Sequence, residues 1–177
     1  MTRNDKILTA IDKVNNCSIA SLVFTVISPI ILIFVNFKVW TSCVHFVSFE
    51  ETLSAFIRRA AVVAAAALAC VLLILLFNVM KYKAAKEFGA MSRSAVAVNT
   101  VFASLVILIP VGFMDYSVIR FCLYIINGGA GHSVGAELIV PGILYLILLA
   151  PSMIPQIRNK YKTVYQLKSM MTIDTEL

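Results

Sequence analysis

Four stretches of 17 to 20 residues that are almost free of charge, separated by short charged segments, constrain this chain more than any other feature. They run over 19–37, 60–77, 95–114 and 138–154. The hydrocarbon core of a bilayer is about 30 Å thick, and a helix needs about 20 apolar residues to cross it. The second stretch, Ala60 to Phe77, holds no polar side chain apart from the weakly polar thiol of Cys70. Lipid cannot satisfy an open backbone, so segments of this kind cross as helices. The sequence therefore predicts an all-α, polytopic integral membrane protein with four transmembrane helices in a single domain over 1–177. The apolar run Phe121–Ile126 is too short to cross. It either lies in the interface or extends the third helix.

Composition agrees. The chain is 60% hydrophobic and 14% charged, against about 25% charged for an ordinary soluble domain. Its net charge of +6 is carried by residues flanking the spans. Membrane topology and anionic lipid explain them better than nucleic acid does. No basic patch with interleaved aromatics stands away from the spans.

Eleven of the fifteen Lys and Arg residues fall on one side. They are Arg3, Lys6 and Lys13 before the first span, Lys81, Lys83, Lys86 and Arg93 after the second, and Arg158, Lys160, Lys162 and Lys168 after the fourth. Lys38, Arg58, Arg59 and Arg120 fall on the other, with Glu50 and Glu51 near enough to offset Arg58 and Arg59. The positive-inside rule then puts both termini in the cytoplasm.

The first apolar run is too long for a cleaved signal peptide and no small-residue cleavage site follows it, so it is expected to stay as an anchor. Before it, Ile7, Leu8, Ile11 and Val14 recur at helical spacing. Residues 4–16 read either as an amphipathic helix on the cytoplasmic surface or as a solvated tail. The segment from Gln156 onward reads as an amphipathic continuation of the fourth helix, with Asp174–Leu177 fraying.

Within the spans, Ala61, Ala65 and Ala69 repeat every fourth residue beside Ala60 and Ala64. Such a ridge lets another backbone approach closely. Its partner is either inside this chain or a second protein. Ser18, Ser21, Thr25 and Ser28 share one face of the first span. Packing, with hydroxyls bonded one turn back, is the plainer reading, and a polar path is the sharper one. Pro29 predicts a kink, and Pro151 and Pro155 predict a bend or an end in the fourth helix. No Asp, Glu, Lys, Arg or His lies in the middle of any span, which weakens a proton- or ion-coupled carrier. Asp115 and Arg120, at the outer end of the third span, read as an interfacial pair.

Cys43 and Cys122 both fall on the outer side and could form a disulfide in an oxidising compartment. Cys17 sits at the cytoplasmic edge, and Cys70 reads as a small apolar residue in mid-membrane. His45 and His132, even with Glu50, Glu51 or Glu137, have no recognised metal-ligand spacing. The glycine-rich loop Asn127–Gly135 has neither the preceding strand nor the following Lys-Ser or Lys-Thr of a phosphate cradle. It is a flexible connector or a recognition surface. No catalytic, cofactor or metal site is predicted.

The quinone-reducing enzyme that generates disulfides in bacterial inner membranes has a similar size, four spans and cytoplasmic termini. Its chemistry needs paired outer cysteines, which single Cys43 and single Cys122 do not supply. A second resemblance is closer. Lys13-Val14-Asn15-Asn16, the apolar run broken at Ser28-Pro29 and continuing through Val35, and the sequence from Leu146 to Pro151 leading to Lys160-Tyr161-Lys162 resemble the four-span membrane immunity proteins against A-type pore-forming colicins. The likeness covers about a quarter of the chain and leaves out the alanine ridge. It implies a non-enzymatic inner-membrane protein that meets a toxin's inserted helices and blocks the pore. A plasmid entry-exclusion protein, which sits in the recipient's inner membrane and blocks redundant conjugation, follows the same logic. A small transporter or channel subunit is the alternative. On the blocking reading the partners are the bilayer and another membrane-inserted protein, without nucleic acid. The recognition candidates are Trp40, His45, Phe49, Asp115, Arg120, Tyr124 and His132, with Ser21, Thr25 and Ser28 as the in-membrane face.

Overall fold

The computed structural model describes residues 2–44, 48–129 and 136–173. Among them are four helices: α1 Arg3–Cys43, α2 Phe49–Lys86, α3 Arg93–Ile126 and α4 Ala136–Ile173. All four are long and apolar enough to cross a membrane. They contain 41, 38, 34 and 38 residues. At 1.5 Å per residue each is about 50–60 Å long, so each continues well beyond a bilayer core.

Local chemistry sets the helix ends. The Thr2 hydroxyl accepts from the Asp5 amide at 3.2 Å while the Asp5 carboxylate accepts from the Thr2 amide at 2.7 Å, a reciprocal cap on α1. Ser48 caps α2 by accepting from the Glu51 amide, and Ser92 caps α3 by accepting from the Ala95 amide. Helices α2 and α3 both stop in a left-handed glycine turn. Gly89 has φ +63° and Gly128 has φ +82°. In the first turn Ala90 N donates to Ala85 O and Gly89 N to Lys86 O; in the second Gly129 N donates to Tyr124 O and Gly128 N to Ile125 O. This paired pattern needs a residue that tolerates positive φ.

The chain forms two compact units, and every helix contributes a part to each. Unit 1 comprises Met1–Thr25, Val71–Ser104 and Ala150–Leu177. Unit 2 comprises Val26–Cys70 and Leu105–Leu149. Both described chain ends therefore belong to unit 1.

Unit 1 is centred on Ile7, Ala10, Ile11, Val14, Ala85, Ala90, Met91 and Leu167. This corrects the expectation for 4–16. The segment is the first part of α1, and Ile7, Ile11 and Val14 bury against α2 and α4, with only Leu8 of the four left exposed. A stripe spaced i, i+4, i+7 that finds protein partners has no need of lipid. The segment after Gln156 does continue α4, and its Leu167 is fully buried in the same cluster.

Unit 2 is centred on Trp40, Cys43, Ala55, Phe56, Ala60, Val118 and Cys122. Edge-to-face rings organise it: Trp40 on Phe56 at 6.0 Å, Trp40 on Phe121 at 5.8 Å, and Phe49 on Phe121 at 6.4 Å. Such pairs contribute about 0.5–1.5 kcal/mol each beyond area burial. Phe121–Ile126 is the last part of α3. Pro29 and Pro110 lie inside continuous helices, and α4 runs through Pro151 and Pro155 rather than ending there.

Candidate functional site

In unit 2 the helix ends bring part of the predicted recognition set together. Phe49 opens α2, 40% exposed, with its ring edge on Phe121. Tyr124, near the end of α3, is 43% exposed. A side chain at Gly129 would put its Cβ 2.4 Å from the Tyr124 ring, so this glycine allows the close approach, while the turn itself rests on Gly128. Arg120 is exposed. Asp115, half-buried, is held by the side-chain amide of fully buried Asn36 rather than by Arg120. Between the start of α2 and the end of α3 lies an open groove of about 470 Å³. Leu53, Ile57, Leu123 and Ile126 give it an apolar floor, and Glu50 and Arg58 give it a charged rim. Arg59 is directed to Ser42, donating to its hydroxyl at 2.7 Å.

Other expected recognition residues are placed differently. Trp40 is 1% exposed and belongs to the aromatic core, so its ring is a packing element and presents no surface to a partner. An indole near a span end reads as an interfacial anchor; here Phe56 and Phe121 enclose it. Ser21, Thr25 and Ser28 are buried as well, so they form no lipid-facing patch. His45 and His132 lie outside the described residues, as do most of the glycine-rich loop, the Glu137 side chain and Asp174–Leu177. Cys43 and Cys122 are free thiols packed in one cluster.

The alanine ridge resolves clearly. Ala60, Val63 and Ala67 face inward, whereas Ala61, Ala64, Ala65 and Ala69 are exposed. Only 22% of the most apolar stretch of α2 is buried inside the protein. Leu53 and Ile57 of the groove continue the ridge, giving one row spaced by four: Leu53, Ile57, Ala61, Ala65 and Ala69. Rows of this spacing are the ridges that interdigitate when helices pack.

Unit 1 holds the second concentration of chemistry, a polar layer drawn from all four helices. Ser21 Oγ donates to Gln156 Oε1 at 3.0 Å. Gln156 Nε2 donates to Thr25 Oγ1 at 3.3 Å and to Ser152 O at 3.1 Å. Thr25 Oγ1 donates to Ser21 O at 2.8 Å, the turn-back bond expected of a packing hydroxyl. Asn78 Nδ2 donates to Thr100 Oγ1 at 3.1 Å, and Asn159 Nδ2 donates to Asn99 Oδ1 at 2.8 Å. Lys81 lies in the same unit and is 1% exposed. Its position after the second span marked it as a loop charge, yet α2 continues to Lys86 and turns Lys81 inward. The signal was present in the spacing: Ile74, Asn78, Lys81 and Ala85 follow one helical stripe, and all four are buried. Four side-chain atoms of this layer have no hydrogen-bond partner: Ser18 Oγ, Asn78 Oδ1, Lys81 Nζ and Asn99 Nδ2.

Among the described residues no three His, Cys, Asp or Glu side chains gather where they could hold a metal. Compared with known proteins, the chain matches no family model, no curated protein and no solved structure.

Proposed function

We propose that this chain is a non-enzymatic membrane protein that binds another membrane-inserted protein within the bilayer and blocks its action. Immunity to a pore-forming bacteriocin and plasmid entry exclusion are the two forms this takes. Both place the protein in a bacterial inner membrane with its termini in the cytoplasm, as the distribution of Lys and Arg suggests. The observation that carries the reading is the exposed row Ile57, Ala61, Ala65 and Ala69 on α2, with half-buried Leu53 at its head. Small residues at a lipid-exposed helix face allow a second helix to approach closely, and van der Waals packing then drives association. The apolar groove at the head of the row, rimmed by Glu50 and Arg58, suits one end of an amphipathic inserted helix.

The test is protection. Bacteria expressing the protein are challenged in parallel with pore-forming bacteriocins and with conjugative donors. A selective fall in killing or in transfer is the expected result. Survival and transfer unchanged across a broad panel would remove the blocking reading.

A carrier or channel subunit is the second reading. It is favoured by the buried polar layer with Lys81, since polar groups inside a bundle line many substrate paths. Protein-dependent solute flux in proteoliposomes, without protection in cells, would establish it instead.

A further inference from the structure

The residues around the end of the fourth apolar stretch are ordered along α4. Ile154, Arg158 and Lys162 are spaced by four, so they lie along one side of the helix, and all three are exposed. Going outward along that side, an apolar residue is followed by two positive ones. The start of α3 carries a matching order. Exposed Ser92 and Ser94 come first, and exposed Val98 follows one turn further into the third apolar stretch. All six residues line one open groove of about 410 Å³ in unit 1. The groove has a positive, hydroxyl-bearing end and an apolar end. The division falls where the apolar stretches 95–114 and 138–154 stop. That is the depth at which the headgroups of a bilayer meet its acyl chains.

The positive end is suited to a phosphate. No carboxylate lines the groove, so Arg158 and Lys162 have no counter-ion there. A guanidinium meets phosphate oxygens with two parallel N–H donors, and a lysine adds a point charge. The hydroxyls of Ser92 and Ser94 share one hydrogen bond at 2.9 Å, which leaves one hydroxyl hydrogen to donate elsewhere. The dipole of α3, which starts at Arg93, adds to the same field. The Arg93 side chain itself is engaged by Tyr82, donating to its hydroxyl at 3.3 Å. Asn159 also lines the groove, and its amide donates to Asn99 at 2.8 Å, which ties the wall to the buried interior of the unit.

The apolar end separates a lipid from a soluble phosphate. Val98 is 41% exposed and Ile154 is 63% exposed. A soluble phosphate would use the positive end and leave both side chains uncovered, whereas a phospholipid uses both ends in one molecule. Basic pockets between transmembrane helices hold anionic headgroups in this way. A headgroup with its own ammonium would bring a further positive charge beside Arg158 and Lys162, so charge balance favours a headgroup without one.

We propose that this groove between the start of α3 and the outer part of α4 binds an anionic glycerophospholipid of the phosphatidylglycerol kind. Arg158, Lys162 and the Ser92–Ser94 hydroxyl pair hold the phosphate, and Val98 and Ile154 support the acyl chain. The site does not rest on the docking row of α2.

The experiment uses the full chain purified into phosphatidylcholine nanodiscs. These carry a trace of phosphatidylglycerol with a photoreactive diazirine on its acyl chain close to the glycerol. Adducts formed on irradiation are mapped by peptide mass spectrometry. Labelling concentrated on 94–98 and 154–158 is expected. It should exceed labelling by the same probe built on phosphatidylcholine by at least about fivefold, the attraction of one basic residue for an anionic surface. Arg158→Gln/Lys162→Gln should remove that excess. Both side chains are exposed, so its melting temperature should match wild type. Lys6→Gln/Lys83→Gln removes two exposed charges elsewhere in the unit and should leave the labelling within about twofold of wild type. Unlabelled phosphatidylglycerol should compete, and glycerol phosphate in the buffer should not. Equal labelling by the two probes, or equal loss in the two double variants, would overturn the proposal. Displacement by glycerol phosphate would assign the groove to a soluble phosphate and overturn the lipid assignment.

Discussion

Individual residues here do work that differs from what their types suggest in the sequence. Trp40 is the clearest case. Enclosed by Phe56 and Phe121, it contributes to unit 2 through burial and ring geometry. Trp40→Ala should therefore cost about 3–5 kcal/mol of stability. The check is the melting temperature of the purified variant, which should fall whether or not a partner is present. Gln156 is a similar case in unit 1. It joins Ser21, Thr25 and Ser152 through three hydrogen bonds, and Gln156→Leu leaves those groups buried without it. The expected loss is about 1–3 kcal/mol, measurable by the same unfolding assay. Both roles were hidden in the sequence for a physical reason. A tryptophan at a span end fits a lipid interface and a protein core equally well. A glutamine just beyond an apolar stretch looks like the start of a solvated tail. Lys81 was hidden in the same way: hydropathy averages a window and does not register which side of a helix one lysine faces.

At the scale of elements, the four apolar stretches were legible because lipid imposes a length that few other environments require. The helix extents were not. Each helix runs beyond its apolar stretch, and α2 covers Phe49–Lys86 where the stretch covers 60–77. The additional turns mix charge with apolar residues, of which Ile7, Phe56 and Leu167 are covered by other helices. The amphipathic stripe of 4–16 was visible in the sequence, but its destination was not: a stripe specifies a buried face and does not name what buries it. The alanine ridge on α2 left the same choice open, and its exposure decides against a partner inside this chain. A pair of substitutions tests that assignment. Ala67 is 1% exposed, so Ala67→Leu should overpack unit 2 and cost about 1–3 kcal/mol. Ala65 is exposed, so Ala65→Leu should change stability by no more than about 0.5 kcal/mol. Equal destabilisation by the two, measured as melting temperatures in one detergent, would mean that both sides of α2 are packed.

At the scale of the whole molecule, two regions with different chemistry emerge. Unit 2 carries an aromatic core, an open apolar groove with a charged rim, and the exposed row on α2. Unit 1 carries the buried polar layer and both described chain ends. The proposed topology puts the termini in the cytoplasm, and reporter fusions check it. A carboxy-terminal green fluorescent protein should fluoresce, and alkaline phosphatase at the same point should be inactive. The opposite pair of results would invert the orientation. The central claim concerns the row on α2, and photocrosslinking in living cells tests it most directly. A photoreactive amino acid replaces Ala65 in one strain and Ala67 in another, and both are irradiated during challenge with the bacteriocin or donor against which the protein protects. An adduct with the challenger's inserted protein from position 65, and none from position 67, is the predicted result. Protected cells that yield no adduct from position 65 would contradict docking through α2.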